Sequence, residues 1–221
     1  MRKKGGTLAV FDFDRTVTKR GTFTPFLLFA ARAEPWRYAY LLPGGLLGLF
    51  YLAGIITRKR LKELVMDFFL AGKTRSEIEA LAAAFTARLL AKGVHAKALE
   101  TLHGHQEKGH KVGLATASMD FYVAHVTRAL KLDFEISTRS VFDAKQRLVP
   151  HILGENCYGD AKAARLAELI KKENPEEVWF YSDHATDLPS FDLADVKVAV
   201  NPPPRLAARA SGAGWKVVWW D

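Results

Sequence analysis

The sequence has a single cysteine, Cys157, so no disulfide can close within the chain, and neither a disulfide scaffold nor a multi-cysteine zinc site is open to it. A lone cysteine suits a reducing cytoplasm, and a cytoplasmic protein is expected. Internal repeats and low-complexity tracts are also absent, which excludes solenoid and fibrous architectures. Acidic residues are the scarcer charge: 24 against 32 Lys and Arg give a formal net charge of +8. Phosphorylated metabolites, anionic lipid and nucleic acid are all attracted at long range by such a charge. No aromatic-plus-basic strand motif of an RNA-binding module is present, so nucleic acid is not expected as a partner. The basic start Met1-Arg2-Lys3-Lys4 leads into an apolar run that Asp12 breaks, which is too short for a secretory signal.

Long uncharged runs are scarce, with one exception. Tyr38 to Ile56 is nineteen residues without a charge, flanked by Arg37 and by Arg58-Lys59-Arg60. That length sits at the threshold of a membrane span of about 20 residues, but Pro43-Gly44-Gly45 and Gly48 interrupt it. Three readings stand: a crossing, a helix or hairpin in an anionic membrane interface through residues 38–60, or the core of a helical domain.

With 221 residues, 49% hydrophobic and 25% charged, the chain is globular and can bury one sizeable core plus a smaller appended domain. Its organising stretch is Thr7 to Thr16, an apolar run ending in Asp12-Phe13-Asp14-Arg15-Thr16. It reads as a buried strand whose C-terminal tip carries polar groups, where open α/β sheets bind ligands. Two acids one residue apart repel each other, and a hard cation such as Mg2+ would offset that.

Residues 25–92 then show helical spacing without strand alternation. Leu61, Leu64, Val65 and Phe68 form one stripe after the N-cap Thr57, and Ile78, Leu81, Ala82, Phe85 and Leu89 another, with Ser76 and Glu79 fitting a capping box. The α/β pattern resumes at His95. Lys111 to Ala115 reads as a strand ending in Thr116-Ala117-Ser118, and residues 134–149 as a strand and hairpin. Asp160 to Lys172 reads as a helix and Val178 to Ser182 as a strand stopping at Asp183. Lys197 to Val200 and Trp215 to Trp220 read as the last strands.

Three strand tips thus carry Asp12 and Asp14, Thr116 and Ser118, and Asp183 and Asp187, while a helix opens with Lys162. In a parallel sheet these tips converge on one crevice. The parts suit phosphoryl transfer through an enzyme carboxylate, with a second carboxylate for proton transfer and Mg2+ to lessen repulsion. The Thr116 hydroxyl and helix N-terminal amides can bind phosphate oxygens, and Lys162 can neutralise charge. Ser118 is either a phosphate contact or a helix cap. His184 reads as a surface residue or as a support to the acid loop, with a catalytic role as the alternative, and His103 and His105 face different sides of their helix.

Asp12-Phe13-Asp14-Arg15-Thr16, Leu114-Ala115-Thr116, Lys162 and Asp183-His184-Ala185-Thr186-Asp187 resemble, in order, the four motifs of the haloacid dehalogenase (HAD) superfamily of phosphatases. The spacing and Gly154 to Lys162 are similar to the subfamily that includes phosphoserine phosphatase. The resemblance implies an α/β Rossmann-like core with a mainly parallel sheet, residues 1–21 and 93–221, and an all-helical cap, residues 22–92. It implies Asp12 as nucleophile, Asp14 as general acid/base, Thr116 and Lys162 as phosphate ligands, and Mg2+ bound by Asp12, the Asp14 carbonyl and Asp183. Asp187, Thr16 and Arg15 are expected in support.

Two departures stand out. Arg15 occupies a position often held by Gly, and Gly21 replaces the Glu that recognises the amine in phosphoserine phosphatases. The apolar insert and Trp-rich end resemble a phosphatidylglycerophosphate phosphatase branch, and histidinol-phosphate phosphatases share the core. The expected partner is therefore a phosphorylated small molecule or lipid. Transfer of the phosphoryl group to another acceptor, or an inactive binding protein, are the competing readings.

Overall fold

The structure is a computed structural model and describes residues 5–220; the basic start Met1-Arg2-Lys3-Lys4 lies outside them. Strand β1 (Gly5–Phe11) forms because both sheet faces are covered, so its apolar run needs no polar alternation. Ala9 and Phe11 enter one buried cluster, and Leu8 and Val10 the cluster on the opposite face. β1 pairs in parallel with β2 (Lys111–Met119) on one side and β5 (Pro175–Ser182) on the other.

The sheet continues through β3 (Phe134–Phe142), β6 (Val196–Val200) and β7 (Lys216–Val218), all parallel, and ends in β4 (Leu148–Leu153), antiparallel to β3. The seven-stranded order is β4-β3-β2-β1-β5-β6-β7. Chain order reverses at β1, so a crevice opens at the C-terminal tips of β2, β1 and β5. Helices α5 (Ala96–Glu107), α6 (Asp120–Ala129), α7 (Asp160–Glu173), α8 (Leu188–Phe191) and α9 (Pro204–Gly212) flank the sheet.

Between β1 and α5 the insert is helical, as expected: α1 (Phe23–Ala30), α2 (Leu41–Leu52), α3 (Arg58–Leu70) and α4 (Arg75–Lys92). Its Phe26, Met66, Ile78 and Phe85 share one buried cluster with Phe11 and Val126. The β3–β4 hairpin props it from below, with Leu148 N donating to the Lys73 carbonyl (2.9 Å) and Ile152 N to Glu63 Oε1 (3.1 Å).

Three local expectations are corrected. The capping box is Thr74 with Glu77, not Ser76 with Glu79: Glu77 N donates to Thr74 Oγ1 (3.3 Å) and Thr74 N to Glu77 Oε2 (2.7 Å). The sequence offers two overlapping signatures, and a bridge between Thr74 and Arg147 fixes where the chain enters the helix. On α3, which Thr57 does cap, the buried face is Lys62, Glu63, Met66, Phe69 and Leu70, whereas Leu61, Leu64, Val65 and Phe68 are only half-buried. Two charged side chains take core positions there because the core offers them partners. β2 runs on through Thr116 and Ser118 to Met119, with a register shift after Ala115.

The uncharged stretch splits into a 3-10 turn at Pro35–Tyr40 and the twelve-residue α2, about 18 Å long at 1.5 Å per residue. Among the described residues no helix is long and apolar enough to cross a membrane. Nor is α2 a core element, since none of its residues is buried.

Gly113 faces Phe134 across the β2–β3 pair, and a Cβ there would lie 2.4 Å from the Phe134 carbonyl oxygen. Gly113→Ala is expected to lower stability by about 1–3 kcal/mol, read from urea unfolding; an unchanged midpoint would contradict this packing.

Candidate active site

Asp12 follows the last residue of β1 and is 7% exposed. Its backbone N donates to the Tyr181 carbonyl of β5 (2.8 Å). A tight turn over Phe13–Val17 then carries the chain out of the sheet. Within it Arg15 adopts φ 65°, ψ −4°, the left-handed region that costs a non-glycine residue about 1–2 kcal/mol. This explains why Gly is favoured at the position. The Arg15 N–H donates to Thr18 Oγ1 (3.2 Å), and the exposed side chain lines the cavity described below.

Lys162, in the first turn of α7, is 2% exposed and donates to Asp12 Oδ1 (2.7 Å) and Asp187 Oδ2 (2.8 Å). Asp187 also accepts from Ser182 Oγ (2.6 Å). It therefore sits behind Lys162 and fixes it. Thr16 clamps the β5 loop: its hydroxyl donates to Asp183 Oδ1 (3.3 Å) and accepts from Asp183 N (3.0 Å). Thr116 is buried and accepts from Ser118 N (3.0 Å).

Asp14 is held from two directions. Its Oδ1 accepts from Thr22 N (2.6 Å) and Thr22 Oγ1 (2.7 Å), and its Oδ2 from Ser118 Oγ (2.6 Å). Tyr122 in turn donates to Ser118 Oγ (2.7 Å). The Ser118 hydroxyl is thus engaged with Asp14. His184 is exposed and turned to Thr186.

One cavity of about 740 Å³ is lined by Asp12, Asp14, Thr116, Ser118, Lys162, Asp183 and Asp187 together. Residues from four separate stretches of chain meet in it because each ends or begins an element at the switch point.

Two buried carboxylates, Asp12 and Asp187, share the single Lys162 ammonium. Burial pushes Asp12 up to about 8; Lys162 pulls against this, while Asp187 and Asp183 push the same way. Burial opposes the Lys162 charge, but Asp12 and Asp187 outweigh it and hold the ammonium above the ordinary lysine range. Burial, with Asp187, also raises Asp183. Carboxylates raised in this way form a hard-oxygen set that a divalent cation suits. Among the described residues no three His, Cys, Asp or Glu side chains gather as a metal cage. The set expected for Mg2+ does not require one, since it comprises the Asp12 and Asp183 side chains and one backbone carbonyl.

Thr22, Tyr122 and Lys62 carry no signal in the sequence reading. Lys62 Nζ donates to the Ala117 carbonyl (2.6 Å) and Asn156 Oδ1 (2.8 Å), joining the insert to the β2 tip. Burial lowers it to about 8, with Asp14 resisting. Helical spacing marks the apolar stripe of α3 but does not show that a lysine beside it turns inward.

The cavity thus joins a buried strand-tip carboxylate paired with a lysine to a second carboxylate on the same lining, an arrangement that suits a hydrolase. The chain belongs to the haloacid dehalogenase-like hydrolases, whose family model matches residues 9–192. It is 32% identical to protein CicA of Caulobacter vibrioides, over 86% of this chain and 84% of that protein. It is 28% identical to the probable phosphatase Rv3661 of Mycobacterium tuberculosis, over 96% of this chain and 75% of that one. Its fold matches a phosphoserine phosphatase solved as a phospho-aspartyl intermediate analogue, with TM-score 0.65, 18% identity, and coverage of 97% of this chain and 93% of the other. It is a phosphatase-like hydrolase.

Lys162→Met removes the cation from two buried carboxylates and is expected to cost about 3–5 kcal/mol at pH 8. Asp12 has its folded pKa raised from 3.8 to about 8, so it adds stability fully below pH 4 and loses it as pH rises to 8. The deficit of the variant should therefore shrink toward pH 5. Urea unfolding at both pH values checks this; an equal deficit would contradict the charge assignment.

Proposed function

We propose that the protein is a Mg2+-dependent phosphomonoesterase that acts through an aspartyl-phosphate on Asp12. The observation that carries the reading is the Asp12–Lys162 contact at 2.7 Å in a cavity that also holds Thr116, Asp14 and Asp183. In this reading residues 1–21 and 93–221 form the catalytic core and residues 22–92 the cap.

An Asp12 oxygen attacks phosphorus while the bond from phosphorus to the ester oxygen breaks. Asp14, held by Thr22 and Ser118, gives its proton to the departing alkoxide. It then takes a proton from water, whose oxygen attacks the aspartyl-phosphate and releases phosphate and free Asp12. Thr116 and Lys162 hold the phosphate oxygens, and Thr16 and Asp187 keep Asp183 and Lys162 in place. Mg2+, held by Asp12, Asp183 and the Asp14 carbonyl, would supply charge neutralisation between nucleophile and phosphate. The substrate is a phosphorylated metabolite or phospholipid head group.

Purified protein with Mg2+ is expected to hydrolyse p-nitrophenyl phosphate. Asp12→Asn should reduce turnover by at least about a thousand-fold and Asp14→Asn by about 10²–10⁴-fold, with melting retained. Full turnover by Asp12→Asn would remove the nucleophile assignment. Mg2+ needs ionised carboxylates, and Asp12 sits at about 8 without it. Mg2+ is therefore expected to raise Tm more at pH 8 than at pH 5.5, against EDTA controls. The opposite order would exclude Asp12 as a ligand.

A further inference from the structure

Helix α2 shows its apolar side to solvent. Leu42, Leu46 and Leu49, spaced i, i+4, i+7, lie on one face and are 85%, 51% and 62% exposed. Trp36, Leu52 and Ile55 extend the exposed apolar area at either end. The opposite side, carrying Leu41, Gly44, Gly48 and Tyr51, lines the same cavity as Asp12 and Lys162. A Cβ on Gly44 or Gly48 would meet nothing within 4 Å, so the space beneath the helix is open. One element therefore serves as a wall of the catalytic cavity inside and as an unpartnered leucine stripe outside.

Charge flanks this stripe. No charged residue lies between Tyr38 and Thr57. Arg32 is exposed before the stripe, and Arg58 and Arg60 after it, Arg60 keeping most of its side chain in solvent although it lies 3.6 Å from Glu63. Glu34, the acid on the approach, is held by Arg37 and Lys73. Arg58 lies over the Tyr158 ring (4.1 Å) in the cavity lining. An exposed leucine face between cations, with its nearby acid neutralised, complements an anionic bilayer surface, where leucines enter the interface and arginines meet lipid phosphates.

We propose that the leucine face of α2 docks on an anionic bilayer and that the substrate is a phosphomonoester lipid, whose head group enters the cavity beneath α2 toward Asp12. The substrate half rests on the phosphatase reading above; the docking half does not.

The test compares the full chain with Leu42→Glu/Leu49→Glu and with the milder Leu42→Ser/Leu49→Ser, all positions outside the cavity lining. Wild type should pellet with phosphatidylglycerol–phosphatidylcholine vesicles at low salt and less so in about 0.5 M NaCl, where exposed charges are screened. The Glu variant should pellet at least about tenfold less and hydrolyse phosphatidic acid in those vesicles correspondingly more slowly, while p-nitrophenyl phosphate turnover and Tm stay unchanged. The Ser variant should fall between.

Absence of pelleting at low salt, or equal pelleting by all three proteins, would overturn the docking face. So would a dimer in sedimentation analysis that the Glu variant abolishes, since the stripe would then serve a second copy. Phosphatidic acid hydrolysis that is equal in wild type and Glu variant would overturn the lipid substrate. If wild type hydrolyses neither ester, the phosphatase reading fails, and pelleting still decides the docking face.

Discussion

The contact between Lys162 and the carboxylates of Asp12 and Asp187 governs the rest of the site. All three groups are almost fully buried, and a buried charge is tolerated only where a partner meets it. α7 must therefore begin where it does, the β5 loop must return Asp187 beneath it, and β1 must stop at Asp12. The reversal of strand order at β1 brings these three ends together. At the base of the pocket two carboxylates share the one Lys162 ammonium.

The second carboxylate depends on a different construction. Asp14 is gripped by Thr22, at the start of the insert, and by Ser118 at the β2 tip, with Tyr122 of α6 behind. Lys62 adds a link from α3 to the Ala117 carbonyl and Asn156. The insert is thus anchored to the rim of the cavity by hydrogen bonds at its entry and by one buried lysine. Its hydrophobic cluster is continuous with that of the sheet. A shift of the insert would be felt at Asp14, because the threonine holding that carboxylate moves with it.

α2 stands apart from this economy of burial. The remaining insert helices each contribute buried side chains, whereas α2 contributes none and is apolar on both sides. Its glycines leave room beneath, and its outer leucines Leu42, Leu46 and Leu49 stay exposed. Helical spacing could not reveal this, because a stripe facing solvent and a stripe facing a core have the same period.

The sequence by itself determined the strand tips, the helical insert and the four stretches carrying Asp12 and Asp14, Thr116, Lys162, and Asp183 and Asp187 that line one cavity, because buried runs that stop at polar residues and helices that open beside them are local signals. It also carried the Arg15 departure, which the left-handed backbone then explained. Tertiary structure alone decided which neighbours those residues meet. Ser118 turned to Asp14, Thr22 and Tyr122 joined it, and Lys62 and Glu63 took core positions on α3. It likewise decided which of two capping signatures operates and that α2 lies outside the core. These outcomes rest on hydrogen-bond partners and covering surfaces supplied by distant parts of the chain, which no local pattern of residues encodes.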